Sequence, residues 1–144
     1  MASNRMTRRL LLAAPFASRL IAADATSQVY ELVTDAVSYL SADNAQAFLG
    51  CFDKGMPGYE KFAASVTGLV QQCEIQSSVE VLRNEGDDAA RAVELDWLMQ
   101  VKLRYQTEQI ERRHEVVKCR AQKAGRKWKF VALSPQSLFA VMKV

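Results

Sequence analysis

Strict alternation is the tightest constraint on what this chain can fold into. From Val93 to Leu103 the odd-numbered residues Val93, Leu95, Trp97, Met99, Val101 and Leu103 are all apolar. The residues between them are mostly polar or charged: Glu94, Asp96, Gln100 and Lys102, with Leu98 the exception. Successive side chains of a β-strand point to opposite faces, so such a stretch folds as a strand with one buried face. Two more strand-like segments follow across short turns, which predicts strands over Ala90–Tyr105, Glu108–Gln122 and Arg126–Leu133. Another precedes them: Ile75, Ser77, Val79 and Val81 alternate with Glu74, Gln76, Ser78 and Glu80, and Asn84-Glu85-Gly86-Asp87 turns the chain back.

A sheet with one apolar face needs a cover, and the first half of the chain supplies it. Val29, Leu32, Val33, Ala36, Val37 and Leu40 recur at helical spacing, which predicts a helix over Gln28–Leu40. Ser41-Ala42-Asp43-Asn44 breaks it and caps a second, shorter helix over Ala45–Asp53 that buries Phe48, Leu49 and Phe52. After the loop Lys54-Gly55-Met56-Pro57-Gly58, a third helix from Tyr59 places Phe62, Ala63, Val66, Leu69, Val70 and Cys73 on one face. The expected class is α+β, with three amino-terminal helices packed on a curved antiparallel sheet.

A two-residue Gln106-Thr107 turn would set the pairing of the two longest strands. Trp97 then faces Val116, Met99 faces His114, Val101 faces Arg112 and Leu103 faces Ile110. On the opposite face Lys102 meets Glu111, Gln100 meets Arg113 and Asp96 meets Val117. That register puts Arg112 and His114 on the Trp97 face. It leaves Leu98 and Val117, flanked by Ala92 and Ala121, on the outer face and keeps Asp96 away from His114. The facing of Trp128 and Phe130 turns on one residue of loop length and stays open.

Charge narrows the partners. Arg5, Arg8, Arg9 and Arg19 against Asp24 leave residues 1–25 at +3, the whole formal excess. Residues 26–144 are balanced, which gives little electrostatic reason to bind nucleic acid. Within them the charges are uneven, with 4 basic and 12 acidic residues in 26–100 against 11 and 3 in 101–144. Pairing across neighbouring strands is the expected outcome. No apolar run reaches the roughly 18 residues of a membrane span.

Met6-Thr7-Arg8-Arg9-Leu10-Leu11-Leu12 is a positive start leading into a short apolar region, and Ala23-Asp24-Ala25 offers small residues for cleavage after Ala25. Residues 1–25 therefore read as a signal peptide, with a Thr-Arg-Arg-Leu-Leu order of twin-arginine type, ahead of a single domain over 26–144. The expected location is periplasmic or secreted, with no membrane attachment after removal of the signal. A retained amphipathic helix in a cytoplasmic protein is the competing reading. Cys51, Cys73 and Cys119 follow no metal-ligand spacing, so no metal or other cofactor is expected. One disulfide is open to them in an oxidising compartment, and three buried thiols are the default.

Asp43-Asn44-Ala45-Gln46-Ala47-Phe48, the Phe52-Asp53 helix end and the closing Gly125-Arg126-Lys127-Trp128-Lys129-Phe130, set in this order of helices and strands, resemble the nuclear transport factor two-like superfamily, the SnoaL-like and cystatin-like cone fold, over about residues 27–135. The resemblance implies a conical pocket between helices and sheet, and often a dimer through the outer sheet face. Such proteins include isomerases, cyclases and dehydratases as well as non-catalytic modules, and no catalytic motif of theirs matches here residue by residue.

On these grounds the expected pocket lining is Trp97, Met99, Val101, Arg112, His114, Tyr59 and Phe62. The preferred function is an exported module that binds a small apolar ligand or dimerises. The alternative is a small isomerase or lyase, of dehydratase or cyclase type, using His114 with Asp53 or Tyr59. Glu60 is the other acid near that loop, and Tyr30 and Tyr105 are further hydrogen-bond donors, each equally suited to packing.

Overall fold

A computed structural model describes residues 13–105 and 109–143, with side chains from Asp24 onward. The Gln106-Thr107 turn and the paired Arg8 and Arg9 lie outside the described residues. Three helices precede four strands: α1 (Ala13–Ser41), α2 (Ala45–Leu49), α3 (Tyr59–Gln72), β1 (Cys73–Gly86), β2 (Ala90–Leu103), β3 (Ile110–Ala124) and β4 (Lys127–Ser134). A 3-10 turn, Gln136–Phe139, follows β4. The strands form one antiparallel sheet in the order β1-β2-β3-β4. The architecture is α+β, as the sequence pattern requires.

α1 carries the expected stripe, burying Val29, Leu32, Val33, Ala36 and Leu40, but it begins well before Gln28. It ends at Ser41; two residues on, Asp43, with a φ of 62°, takes the left-handed conformation that turns the chain away from the helix. Asn44 then caps α2, its Oδ1 accepting from the Ala47 N–H at 3.0 Å. α2 is shorter than expected because the chain leaves the helix to meet the sheet. Phe52 forms a parallel bridge to Phe130, with the Asp53 N–H donating to Phe130 O at 2.8 Å and the Phe130 N–H to Cys51 O at 2.9 Å. Of the described helices none is long and apolar enough to cross a membrane.

The register of β2 on β3 differs by one residue from the expected one. Trp97 pairs with Glu115, Leu98 with His114, Met99 with Arg113 and Lys102 with Ile110. Because strand faces alternate, this single step turns β3 over. Val117, Cys119 and Ala121 face the helices and are buried, while Arg112, His114 and Val116 are on the outer face. The outer apolar pair is thus Leu98 and Val116, not Leu98 and Val117. The tight β3–β4 turn at Gly125, φ 66°, pairs Lys123 with Trp128 and brings Trp128 and Phe130 to the inner face.

Candidate functional site

The space between helices and sheet is filled with rings. Phe48, Phe52, Phe62 and Phe139 are fully buried, and Trp97 is nearly so. Ring centroids are 5.1 Å apart for Phe48–Phe52, 4.9 Å for Phe52–Phe62 and 5.2 Å for Phe52–Phe130. Trp97 meets Phe139 edge-on at 5.2 Å and 90°. Such tilted and edge-to-face contacts are each worth roughly 0.5–1.5 kcal/mol beyond burial. The Trp97 indole N–H is satisfied by Ser77 Oγ at 3.0 Å.

The structure divides the expected site residues between two sides of the sheet. Trp97, Met99, Val101 and Phe62 lie in the buried interior, with Tyr59 half-buried against it at the start of α3. Asp53 is exposed on the helical side, its Oδ2 accepting from the Gly55 N–H at 2.9 Å. Glu60, in the first turn of α3, is also exposed, as are Tyr30 and Tyr105. Arg112 and His114 stand on the outer face, separated from Asp53 and Tyr59 by the sheet. His114 does have a partner, and it is the acid that the expected register kept away. Its Nε2 lies 2.6 Å from Asp96 Oδ1, with His114 58% and Asp96 28% exposed.

Sequence reasoning passed over two arginines. Arg91 is buried and spends its guanidinium on Asn84 Oδ1 at 2.7 Å, Asn84 O at 2.8 Å, Asp87 O at 3.1 Å and Thr26 Oγ1 at 3.1 Å. It thereby fastens the β1–β2 hairpin to α1. Its odd-numbered place in the β2 alternation was the available signal. Arg113 stands on the inner side of β3, paired with Glu111 at 2.8 Å, and its Nη1 donates to Leu138 O at 2.8 Å and Ala140 O at 2.6 Å.

The three cysteines are buried and unpaired. Burial pushes the Cys51 thiol up to about 11, with nearby Asp35 adding and Lys129 opposing, and burial alone takes Cys119 to about 12. Such thiols stay protonated and inert near neutrality. Among the described residues no group of three or more His, Cys, Asp or Glu could hold a metal ion.

The sequence matches no protein-family profile and no curated protein. Solved structures do match in shape. A nuclear transport factor two-like superfamily protein of Salmonella enterica superposes with a TM-score of 0.62 at 11% identity, over 77% of this chain and 89% of that one. A putative scytalone dehydratase of Novosphingobium aromaticivorans gives 0.66 at 10% identity, over 74% and 79%. The hexachlorocyclohexane dehydrochlorinase LinA type 3 of Novosphingobium barchaimii gives 0.64 at 14% identity, over 81% and 88%. The chain therefore has the nuclear transport factor two-like fold, which non-enzymes and enzymes share.

Proposed function

We propose that this chain is a non-catalytic, exported module of the cone fold, and that it works by pairing two copies through the outer face of its sheet. One observation carries the reading: the charge on that face is split about an apolar centre. Leu98 and Val116 are 47% and 46% exposed in the middle of the face. On one side β1 and β2 present Glu74, Glu80, Glu85, Glu94 and Asp96, relieved by Arg83 and Lys102. On the other side β3 and β4 present Arg112, Lys118, Arg120, Lys127 and Lys129 and no acid. A twofold axis along the strands would lay the acidic half of one copy on the basic half of the other and join the apolar centres. Complementarity of this kind steers and orients association.

Sedimentation velocity in the high-micromolar range tests it. A dimer is expected for the native chain and a folded monomer for Leu98→Glu, which puts two carboxylates at the twofold. A native chain that sediments as a monomer rejects the reading.

The close Asp96–His114 pair favours a second reading, a lyase or isomerase of dehydratase or cyclase type. Two solved structures of similar shape carry dehydratase and dehydrochlorinase names. The interior does not support it as well. The groups that acid–base chemistry needs are split by the sheet, and the one close pair opens to water, where proton transfer gains little from its surroundings.

A further inference from the structure

β1 is an edge strand, and its pairing with β2 fixes which of its backbone groups are used. The Arg104 N–H donates to Gln72 O at 3.1 Å, in register with the Cys73–Leu103 pair. Hydrogen-bonded pairs of an antiparallel ladder fall on alternate residues, so Glu74, Gln76, Ser78 and Glu80 bond to β2. Ile75, Ser77, Val79 and Val81 turn their N–H and C=O groups the other way, off the sheet. Among the described residues no backbone bond joins these four to a helix or a loop. A bulge between Val81 and Arg83 ends the free run.

A groove of about 790 Å³ lies along this edge, between β1 and one stripe of α1. Tyr30, Val33 and Val37 belong to the helical wall, and Val79, Glu80 and Val81 form the other. Three consecutive strand residues line it, whereas a cavity under a sheet face is lined by every second one. The groove is therefore open to the edge of the strand, and neither Trp97 nor any of the buried phenylalanines borders it. Val37, Val79 and Val81 are only half-buried there, and Tyr30 is 47% exposed.

We infer that this edge docks an extended segment of a partner protein, which adds an antiparallel strand beside β1 with apolar residues toward α1 and a basic residue beside Glu80. The outward backbone groups of β1 are a ready template for such a strand, and antiparallel pairing is the stronger kind. Alternation places the residues opposite Val79 and Val81 on the helical side, where they cover both valines and pack on Val33 and Val37. The residue between them falls on the outer face beside Glu80. That carboxylate is exposed, stands opposite Asp96 across β1 and β2, and has no ion-pair partner among the described residues. Like charges facing each other across strands repel, and a cation on the added strand relieves them. The helical wall from Tyr30 to Ser41 runs roughly 16 Å, the length of about five strand residues. The seat lies at the rim of the sheet and does not depend on whether two copies pair across its outer face.

A fluorescein-labelled Thr-Val-Lys-Val-Thr peptide, read by anisotropy against the full-length chain, tests the proposal. The native chain is expected to bind it, and to bind the same peptide with Glu in place of Lys at least about tenfold more weakly. Val79→Pro removes an N–H that points away from β2, so the variant should keep its circular dichroism and lose the peptide. Glu80→Lys should reverse the preference and favour the Glu peptide. A native chain that binds neither peptide, or both alike, overturns the proposal, and so does a folded Val79→Pro variant that binds as tightly as the native chain. Methylating both valine nitrogens of the Lys peptide answers the case in which Val79→Pro fails to fold, because the protein is untouched. Affinity should then fall at least about tenfold, and an unchanged affinity overturns the proposal. Failure to bind either peptide, with Val79→Pro sedimenting as a smaller assembly than the native chain, gives the edge to a second copy and likewise overturns it.

Discussion

A guanidinium shut away from water must satisfy its donors within the protein, and Arg91 does so on two backbone carbonyls and two side chains. Replacing it by Met keeps most of the volume and removes the four hydrogen bonds that the guanidinium donates. Arg91→Met is therefore expected to lower the unfolding free energy by about 2–3 kcal/mol, measured by urea denaturation. Cys119 makes a prediction of opposite character. Burial pushes its thiol up to about 12 in the fold, from an ordinary value of 9.0. A raised folded pKa contributes stability that is fully present below the unfolded value and is lost as pH climbs toward the folded one. The window is thus alkaline: by pH 10 the native chain should lose about 1 kcal/mol that Cys119→Ala does not lose. Denaturation curves of both proteins at pH 8 and pH 10 check it, and parallel losses would show that the thiol contributes nothing there.

Turns decide how the strands present their residues, and the two glycines with the most to say differ in kind. Gly125 has φ 66° and open space where a Cβ would be. Gly125→Ala should cost only the backbone preference, about 1 kcal/mol, and Gly125→Asn less. Gly86 has φ 149°, and a Cβ there would collide with the Ala90 carbonyl oxygen and lie 2.8 Å from the Arg91 Cα. Gly86→Ala should cost more than about 3 kcal/mol and disturb the Arg91 latch with it. Equal losses for the two alanine variants in urea would refute this account. The same dependence on turns explains what the sequence could and could not reveal. Strand positions came from alternation and fell within two residues at most ends. The facing of β3 came from an assumed two-residue turn, supported by only a Lys102–Glu111 charge match and the Leu103–Ile110 pair. A better signal lay further along the strand, where Val117, Cys119 and Ala121 alternate with Lys118, Arg120 and Gln122. A run of six is decisive where two pairs are not. Reading it would have put His114 beside Asp96 and moved the outer apolar pair to Leu98 and Val116.

At the scale of the whole molecule, three helices on a four-stranded sheet were legible because each element buries one face. The fate of the interior was not legible. Nothing in Gln136-Ser137-Leu138-Phe139 marks it as the segment that fills the core, since so short an apolar run, Leu138 to Met142, shows neither strand alternation nor a helical period. The amino terminus poses the remaining question at this scale. α1 runs unbroken through the position after Ala25 where an exported chain would be cut, and Ala25 itself is buried. A chain beginning at Thr26 would keep four turns of α1 and the stripe Val29, Leu32, Val33, Ala36 and Leu40. It would also keep the bonds from Arg91 and Asn84 to Thr26 and from the Trp128 indole to Gln28 Oε1 at 2.7 Å. Among the described side chains it gives up one buried methyl and the exposed Gln28–Asp24 bond, and it adds an ammonium at a helix end that disfavours positive charge. These terms amount to about 1–2 kcal/mol, so the shortened chain should fold. A chain beginning at Val29 loses the Thr26 and Gln28 anchors together, exposes the Arg91 guanidinium, and should unfold at much lower urea. Comparing the two starts by urea denaturation, with amino-terminal sequencing of the protein from its native host, decides the boundary. A Thr26 start that cannot fold, or a native chain that still begins at Met1 or Met6, would place α1 whole within the functional protein and remove the export reading.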